Sequence, residues 1–254
     1  MAGVSGVNGN DLYGQIASGN RINSAKDDAA GLVISENMKS QENGLSAGTQ
    51  NAKQGVDALN IADGALSQIT DNLQRIHELS VKASNSFMYG PGELGAMQKE
   101  IDGLMKGIED IAKGTEYNTL KLLDGSMADM DLATNPNGSG QSIKMANATL
   151  EALGIDGYDV TGKFDINRIT NAIDKINEKR SELGAKTNAL EYTINRNDIT
   201  RENTMSARSE LADLDIPKAI SEQKKNQVLD DYQMMMRRQQ MKDEEEKARG
   251  IFQF

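Results

Sequence analysis

The sequence predicts a mostly α fold, an elongated antiparallel helical bundle with a small β-hairpin tip. Three observations carry this. From Leu59 the apolar positions run Leu59, Ala62, Leu66, Ile69, Leu73, Ile76, then Ser80 and Ala83, with gaps of three and four, the heptad seam of a long helix. The only prolines are Pro91, Pro136 and Pro217, each a break between long helical stretches. Aromatic residues make up 4 % of the chain, with no Trp, so Leu, Ile, Met and Ala must fill the interior, as they do in thin bundles.

Taken in order, Met1 to Gly14 is rich in Gly, Asn and Ser and is expected to be mobile. Ala17 to Ser35 is expected to be an extended segment leading into a short helix near Ala29 to Met38, capped by Asp27 or Asp28. The rod runs from Leu45 to Phe87. Gly90, Pro91 and Gly92 then force a turn. A second amphipathic helix from Glu93 to Gly114 carries Leu94, Met97, Ile101, Leu104, Ile108 and Ile111, and the short connection folds it back on the rod. EYNTLKLLDG is a short extended piece. Met127 to Ala133, NPNGSG and Gln141 to Ala146 form a hairpin, followed by a helical turn and loop in LEALGIDGYDVTG.

A third long helix starts near Ile166. Its seam is Ile166, Ile169, Ile173, Ile176, Leu183, Leu190 and Ile194, interrupted by Arg180 and Thr187; Asn195 to Glu210 is more polar, with Ile199 and Met205 as the remaining apolar points of a helix with neighbours on one narrow side. Pro217 ends it. A last helix, Lys218 to about Arg249, carries Ile220, Val228, Leu229, Tyr232 and Met235 and ends in a charged tail, Glu244 to Glu246 included, that belongs in solvent.

The net charge of −10 argues against nucleic-acid binding, which needs a basic face. With no cysteine, disulfides, thiol catalysis and thiolate metal sites are excluded. No secretory signal and no run of about 18 apolar residues is present, so no membrane insertion is expected. The single histidine, His77, has no convergent partners in the sequence and reads as a surface helix position, and no catalytic residue, cofactor or metal is expected. The methionines Met234, Met235, Met236 and Met241 could form an adaptable partner-binding face or simply pack. Asn137-Gly-Ser and Asn147-Ala-Thr match a glycosylation acceptor that is common by chance.

The strings SGNRINSAKDDAAGLVIS (Ser18 to Ser35), NAKQGVDALNIADGALSQITDNLQRIHELSVKASN, EIDGLMKGIEDIAKGTEYNTLKLLDG and INEKRSELGAKTNALEYTI resemble bacterial flagellin, over roughly Ser18 to Gly125 and Ile166 to Val228. The first string is far more specific than a heptad seam. The resemblance implies a structural subunit of the flagellar filament, self-assembling with other flagellin subunits through helix packing and serving motility. It implies residues 1–40 as a flexible and spoke segment, 41–125 and 166–216 as the two halves of a helical rod, 126–165 as a short variable tip, and 217–254 as an inner-type helix with a charged tail. It implies an extracellular location, reached by the flagellar type III system without a cleaved signal peptide. It also implies an export chaperone on the C-terminal helix, carried here by Val228, Leu229, Tyr232 and Met235. Host Toll-like receptor 5 would meet the rod at Arg75, Leu79 and Glu100; Leu104 stands where the family often has an Arg. Against the family pattern, the seventeen Gly-rich residues before Ser18 reduce the N-terminal inner helix to Asp11 to Ala17, and the C-terminal end is unusually charged. The alternative expectation is therefore a non-polymerising variant that acts as a binding partner of the chaperone, a regulator or the receptor.

Overall fold

The computed structural model describes residues 9–85 and 87–251. Its helices are α1 (Gly9–Ser18), α2 (Ala29–Ala83), α3 (Pro91–Gly114), α4 (Leu150–Leu153), α5 (Asn167–Ala212) and α6 (Ile216–Ile251). Two antiparallel strand pairs join them: β1 (Glu116–Tyr117) with β2 (Leu120–Lys121), and β3 (Asp129–Ala133) with β4 (Gly140–Lys144). The mostly α class with a small hairpin is as the sequence predicts. The chain divides into two compact units, residues 1–42 with 202–254, and residues 43–201.

The larger unit is built on the predicted seam. Leu59, Ala62, Leu66, Ile69, Leu73, Ile76, Ser80 and Ala83 are all buried. Ile101 and Ile108 of α3 and Ile169, Ile176, Leu183 and Leu190 of α5 complete the cluster. On α3 the predicted seam packs against the core, with Leu94, Met97, Leu104 and Ile111 half-buried, and it widens to bury Met105 and Ala112 as well. α3 starts at Pro91, where a missing N–H costs nothing, and the Glu93 carboxylate accepts from the Gly90 N–H at 3.0 Å. The interruption of the α5 seam at Arg180 has a partner, because its guanidinium donates to Asp63 of α2 at 2.8 and 3.4 Å.

The tip is anchored by side chains that satisfy backbone groups. Gln98 of α3 donates to Tyr158 O at 3.0 Å and accepts from Val160 N–H at 2.8 Å. Arg168 donates to Gly154 O and Asp156 O at 3.0 and 2.9 Å and lies over the Tyr158 ring, 5.8 Å from its centroid. Tyr158 is buried, edge-on to Phe164 at 6.1 Å, and burial pushes its phenol up, partly offset by the Ser80 hydroxyl. Tyr158→Ala is expected to cost about 3–5 kcal/mol in urea unfolding, as large-to-small core changes do. Tyr158→Phe, which keeps the volume, should cost less than about 1.5 kcal/mol.

The β3–β4 hairpin lies against α2 and α5. Asn51 donates to Ala133 O and Asn197 to Thr134 O, both at 2.8 Å, and Gln141 donates to Thr193 at 3.2 Å. The approach to α2 is permitted by its glycines. A Cβ on Gly48 would stand 2.3 Å from Thr134 O, and one on Gly44 2.8 Å from Pro136 Cβ.

Three expectations are corrected. No break separates a short helix at Ala29 to Met38 from a rod at Leu45; α2 is one helix, and it ends at Ala83, not Phe87. Gly44 and Gly48, which weaken a helix in isolation, are held helical by the hairpin packed on them. The helix α1 begins within the stretch expected to be mobile, spanning the Asp11 to Ala17 expectation; residues 1–8 lie outside the described ones. Ile199 and Met205, the remaining apolar points beyond Asn195, are exposed, and the buried positions of that part of α5 are Asn197 and Ala212. Glu244 is exposed as expected, whereas the side chains of Glu245 and Glu246 lie outside the described ones.

Candidate functional site

In the smaller unit the residues of the Ser18 to Ser35 string build a clasp. Arg21 N–H donates to Ala212 O at 2.7 Å, Leu214 N–H to Gly19 O at 2.9 Å, and the Arg21 guanidinium to Leu211 O. Asp27 accepts from the Asn23 and Ser24 N–H groups and from the Ser24 hydroxyl, and that hydroxyl contributes most to holding its carboxyl below the usual range. Asp28 caps α2 by accepting from Gly31 N–H at 2.8 Å. Arg208 pairs with the largely covered Glu42 at 2.9 Å. The clasp thus turns the string of polar residues into a fixed joint between the start of α2 and the end of α5.

In the same unit α1 meets α6, where the Gln227 amide donates to the Tyr13 hydroxyl at 2.9 Å. Beyond it the apolar residues of α6 stand in solvent: Val228 is 67 % exposed, Leu229 47 %, Tyr232 59 % and Met235 66 %. Steps of three and four residues place them on one face. Met234, Met236 and Met241 are exposed too.

The third region is the α2–α3 surface. Arg75 contacts Glu100 at 2.7 Å and Glu78 at 2.7 Å, and Lys82 contacts Glu78 at 2.7 Å. Lys82 first and Arg75 second hold the Glu78 carboxyl below its usual range, and Glu100 does most to keep the Arg75 guanidinium charged. The exposure expected of Leu79 is corrected: at 3 % it is core. Ile76, Leu79 and Ala83 are themselves spaced by three and four, so the seam widens to include it. Arg75 and Glu100 are brought together at the surface, whereas Leu79 is buried in the core. His77 is half-buried on the same helix.

An open cleft of about 500 Å³ lies between Asn60, Ile61, Gly64, Gln68, Ile111 and Glu116. Among the described residues no cluster of His, Asp and Glu could hold a metal, and no helix is long and apolar enough to cross a membrane.

Comparison with known proteins shows the family. Residues 7–128 match the bacterial flagellin N-terminal helical region, and residues 166–244 match the bacterial flagellin C-terminal helical region. The chain belongs to the bacterial flagellin family. This flagellin is 36 % identical to a flagellin of Bacillus subtilis over 85 % of its own length and 83 % of that protein. It is 34 % identical to a flagellin of Halalkalibacterium halodurans, over 89 % and 86 % respectively. A third relative, flagellin FlaB1 of Treponema pallidum, is 33 % identical over 85 % and 82 %. The crystal structure of Bacillus cereus flagellin shares the fold, with a TM-score of 0.52 over 58 % of this flagellin and 88 % of that chain at 23 % identity. The two matched regions flank residues 129–165, which hold the β3–β4 hairpin and α4.

Proposed function

We propose that this flagellin is a structural subunit of the bacterial flagellar filament, built for motility and assembling by helix packing between copies. The observation that carries the reading is the bare apolar face of α6 at Val228, Leu229, Tyr232 and Met235. Burying such side chains between copies contributes roughly 1.5–3 kcal/mol each, and a filament repeats the contact at every subunit. The filament is extracellular, and the subunit leaves through the flagellar type III route. Before export the same face of α6 is the seat of a chaperone, which keeps it from assembling early.

Purified subunit, seeded with filament fragments across a range of salt concentrations, is expected to enter the pellet and to show filaments by electron microscopy. An empty pellet and no filaments would overturn the filament role. Host Toll-like receptor 5 is a further proposed partner, through Arg75 and Glu100, which share the exposed face of α2 and α3. Arg75→Ala should lower the signal in a receptor-reporter assay with the fold intact. Leu79→Ala should act on stability, because its side chain is in the core. A full receptor signal from Arg75→Ala would remove the α2–α3 face from the role.

A further inference from the structure

The sequence places three Asn-Gly pairs in the chain, at Asn8, Asn43 and Asn137. Two lie among the described residues, and their surroundings differ. Asn43-Gly44 is inside α2, where the backbone is held helical and Pro136 packs over Gly44. Asn137-Gly138 is at the exposed end of the β3–β4 hairpin. Gly138 has φ +81°, and nothing lies within 4 Å of where its Cβ would be. One turn bond, from Gly138 N–H to Asn135 O at 3.0 Å, holds its amide.

The Asn137 side chain is also primed. Its Oδ1 accepts from the Ser139 hydroxyl at 2.7 Å and from Ser139 N–H at 3.1 Å. The Ser139 hydroxyl in turn accepts from Asn135 Nδ2 at 3.0 Å, and Asn135 Oδ1 accepts from the Arg196 guanidinium at 2.9 Å. A chain of polarised hydrogen bonds headed by a cation therefore ends on the amide oxygen of Asn137. Donors aimed at an oxygen that gains negative charge during reaction lower the barrier.

We infer that Asn137 is a site of spontaneous deamidation, assisted by the Arg196–Asn135–Ser139 relay. The Gly138 amide gives its proton to solvent hydroxide, and its nitrogen bonds to Asn137 Cγ. The oxyanion formed on Oδ1 is held by the two Ser139 donors. The Cγ–Nδ2 bond then breaks, and Nδ2 leaves as ammonia after taking a proton from water. Water opens the resulting five-membered succinimide at either carbonyl, leaving aspartate or isoaspartate, with no change of oxidation state. The isoaspartyl product carries one more main-chain carbon in the very turn that seats Pro136 on Gly44 and Thr134 on Gly48. The modification thus loosens the hairpin and records the age of the subunit.

The test incubates the full chain in mildly alkaline buffer and follows peptides containing Asn137 and Asn43 by mass spectrometry, with an isoaspartyl assay on the same samples. Asn137 should convert at least about tenfold faster than Asn43, a difference equivalent to about 1.4 kcal/mol of barrier. Ser139→Ala should slow Asn137 by roughly tenfold, and Arg196→Met by roughly threefold, as loss of oxyanion donors does in weakened form at an exposed site. Equal rates at the two asparagines would remove the site. An unchanged or faster rate in Ser139→Ala would remove the relay, since a merely loosened turn speeds the reaction.

Discussion

Gly48→Leu is expected to unseat the β3–β4 hairpin and to destabilise the protein by more than about 3 kcal/mol, seen as a lower urea midpoint. Gly48 is buried, and a Cβ there would stand 2.3 Å from Thr134 O and 2.7 Å from its carbonyl carbon. The atoms it would meet are backbone, so no rotamer change can make room. Retreat of the hairpin would break the Asn51 to Ala133 and Asn197 to Thr134 hydrogen bonds and leave the buried Asn197 amide unpaired. An unsatisfied buried polar group adds about 1–3 kcal/mol to the cost of overpacking. Against this, replacing a helical glycine returns at most about 1 kcal/mol. The same change at Gly64, where nothing would crowd a Cβ, should be neutral or stabilising and serves as the control. If Gly48→Leu unfolds at the wild-type midpoint, the hairpin does not depend on that close approach.

The same residues show where the sequence was legible and where it was not. The rod seam was readable because one periodicity governs both local structure and burial: every seam residue from Leu59 to Ala83 is buried. The hairpin was readable from NPNGSG, since Pro136 and Gly138 carry the turn in their own backbone preferences. The continuity of α2 from Ala29 through Gly44 and Gly48 into the rod was not. Gly44 and Gly48 count against a helix locally, and what keeps them helical comes from Thr134 and Pro136, about ninety residues away in sequence. On α3 the seam was read too narrow, without Met105 and Ala112, for a related reason. Leu104 and Met105, like Ile111 and Ala112, are adjacent, and only the neighbouring helices decide which of each pair is buried.

Among the candidate site residues, Leu79 was misplaced because a residue one step off the seam can be core or surface depending on how wide the covering layer is. The α6 residues Val228, Leu229, Tyr232 and Met235 are exposed in the isolated chain, because no described element of the same chain covers them there. The polar relay at Arg196, Asn135 and Ser139 was not visible at all. It joins residues from a helix and a turn that no spacing rule connects.

Tyr232→Asp combined with Met235→Asp is expected to abolish filament assembly while leaving the unfolding of the free subunit unchanged. Both side chains are more than half exposed in the isolated chain, at 59 % and 66 %, so the folded subunit loses little when they are replaced. In the filament they would be covered. Two carboxylates would then have to be desolvated without partners, on a helix stretch that already carries Asp230 and Asp231. The penalty of several kcal/mol per buried charge exceeds what the remaining apolar contacts of the face supply, at roughly 1.5–3 kcal/mol each. It recurs at every subunit, so assembly should fail outright and not merely slow. Sedimentation of seeded reactions and electron microscopy report assembly, and calorimetry of the soluble subunit reports its own stability. Wild-type yields of filament would show that this face lies outside the subunit contacts. A lowered unfolding temperature in the free subunit would show that Tyr232 and Met235 already pack within one chain.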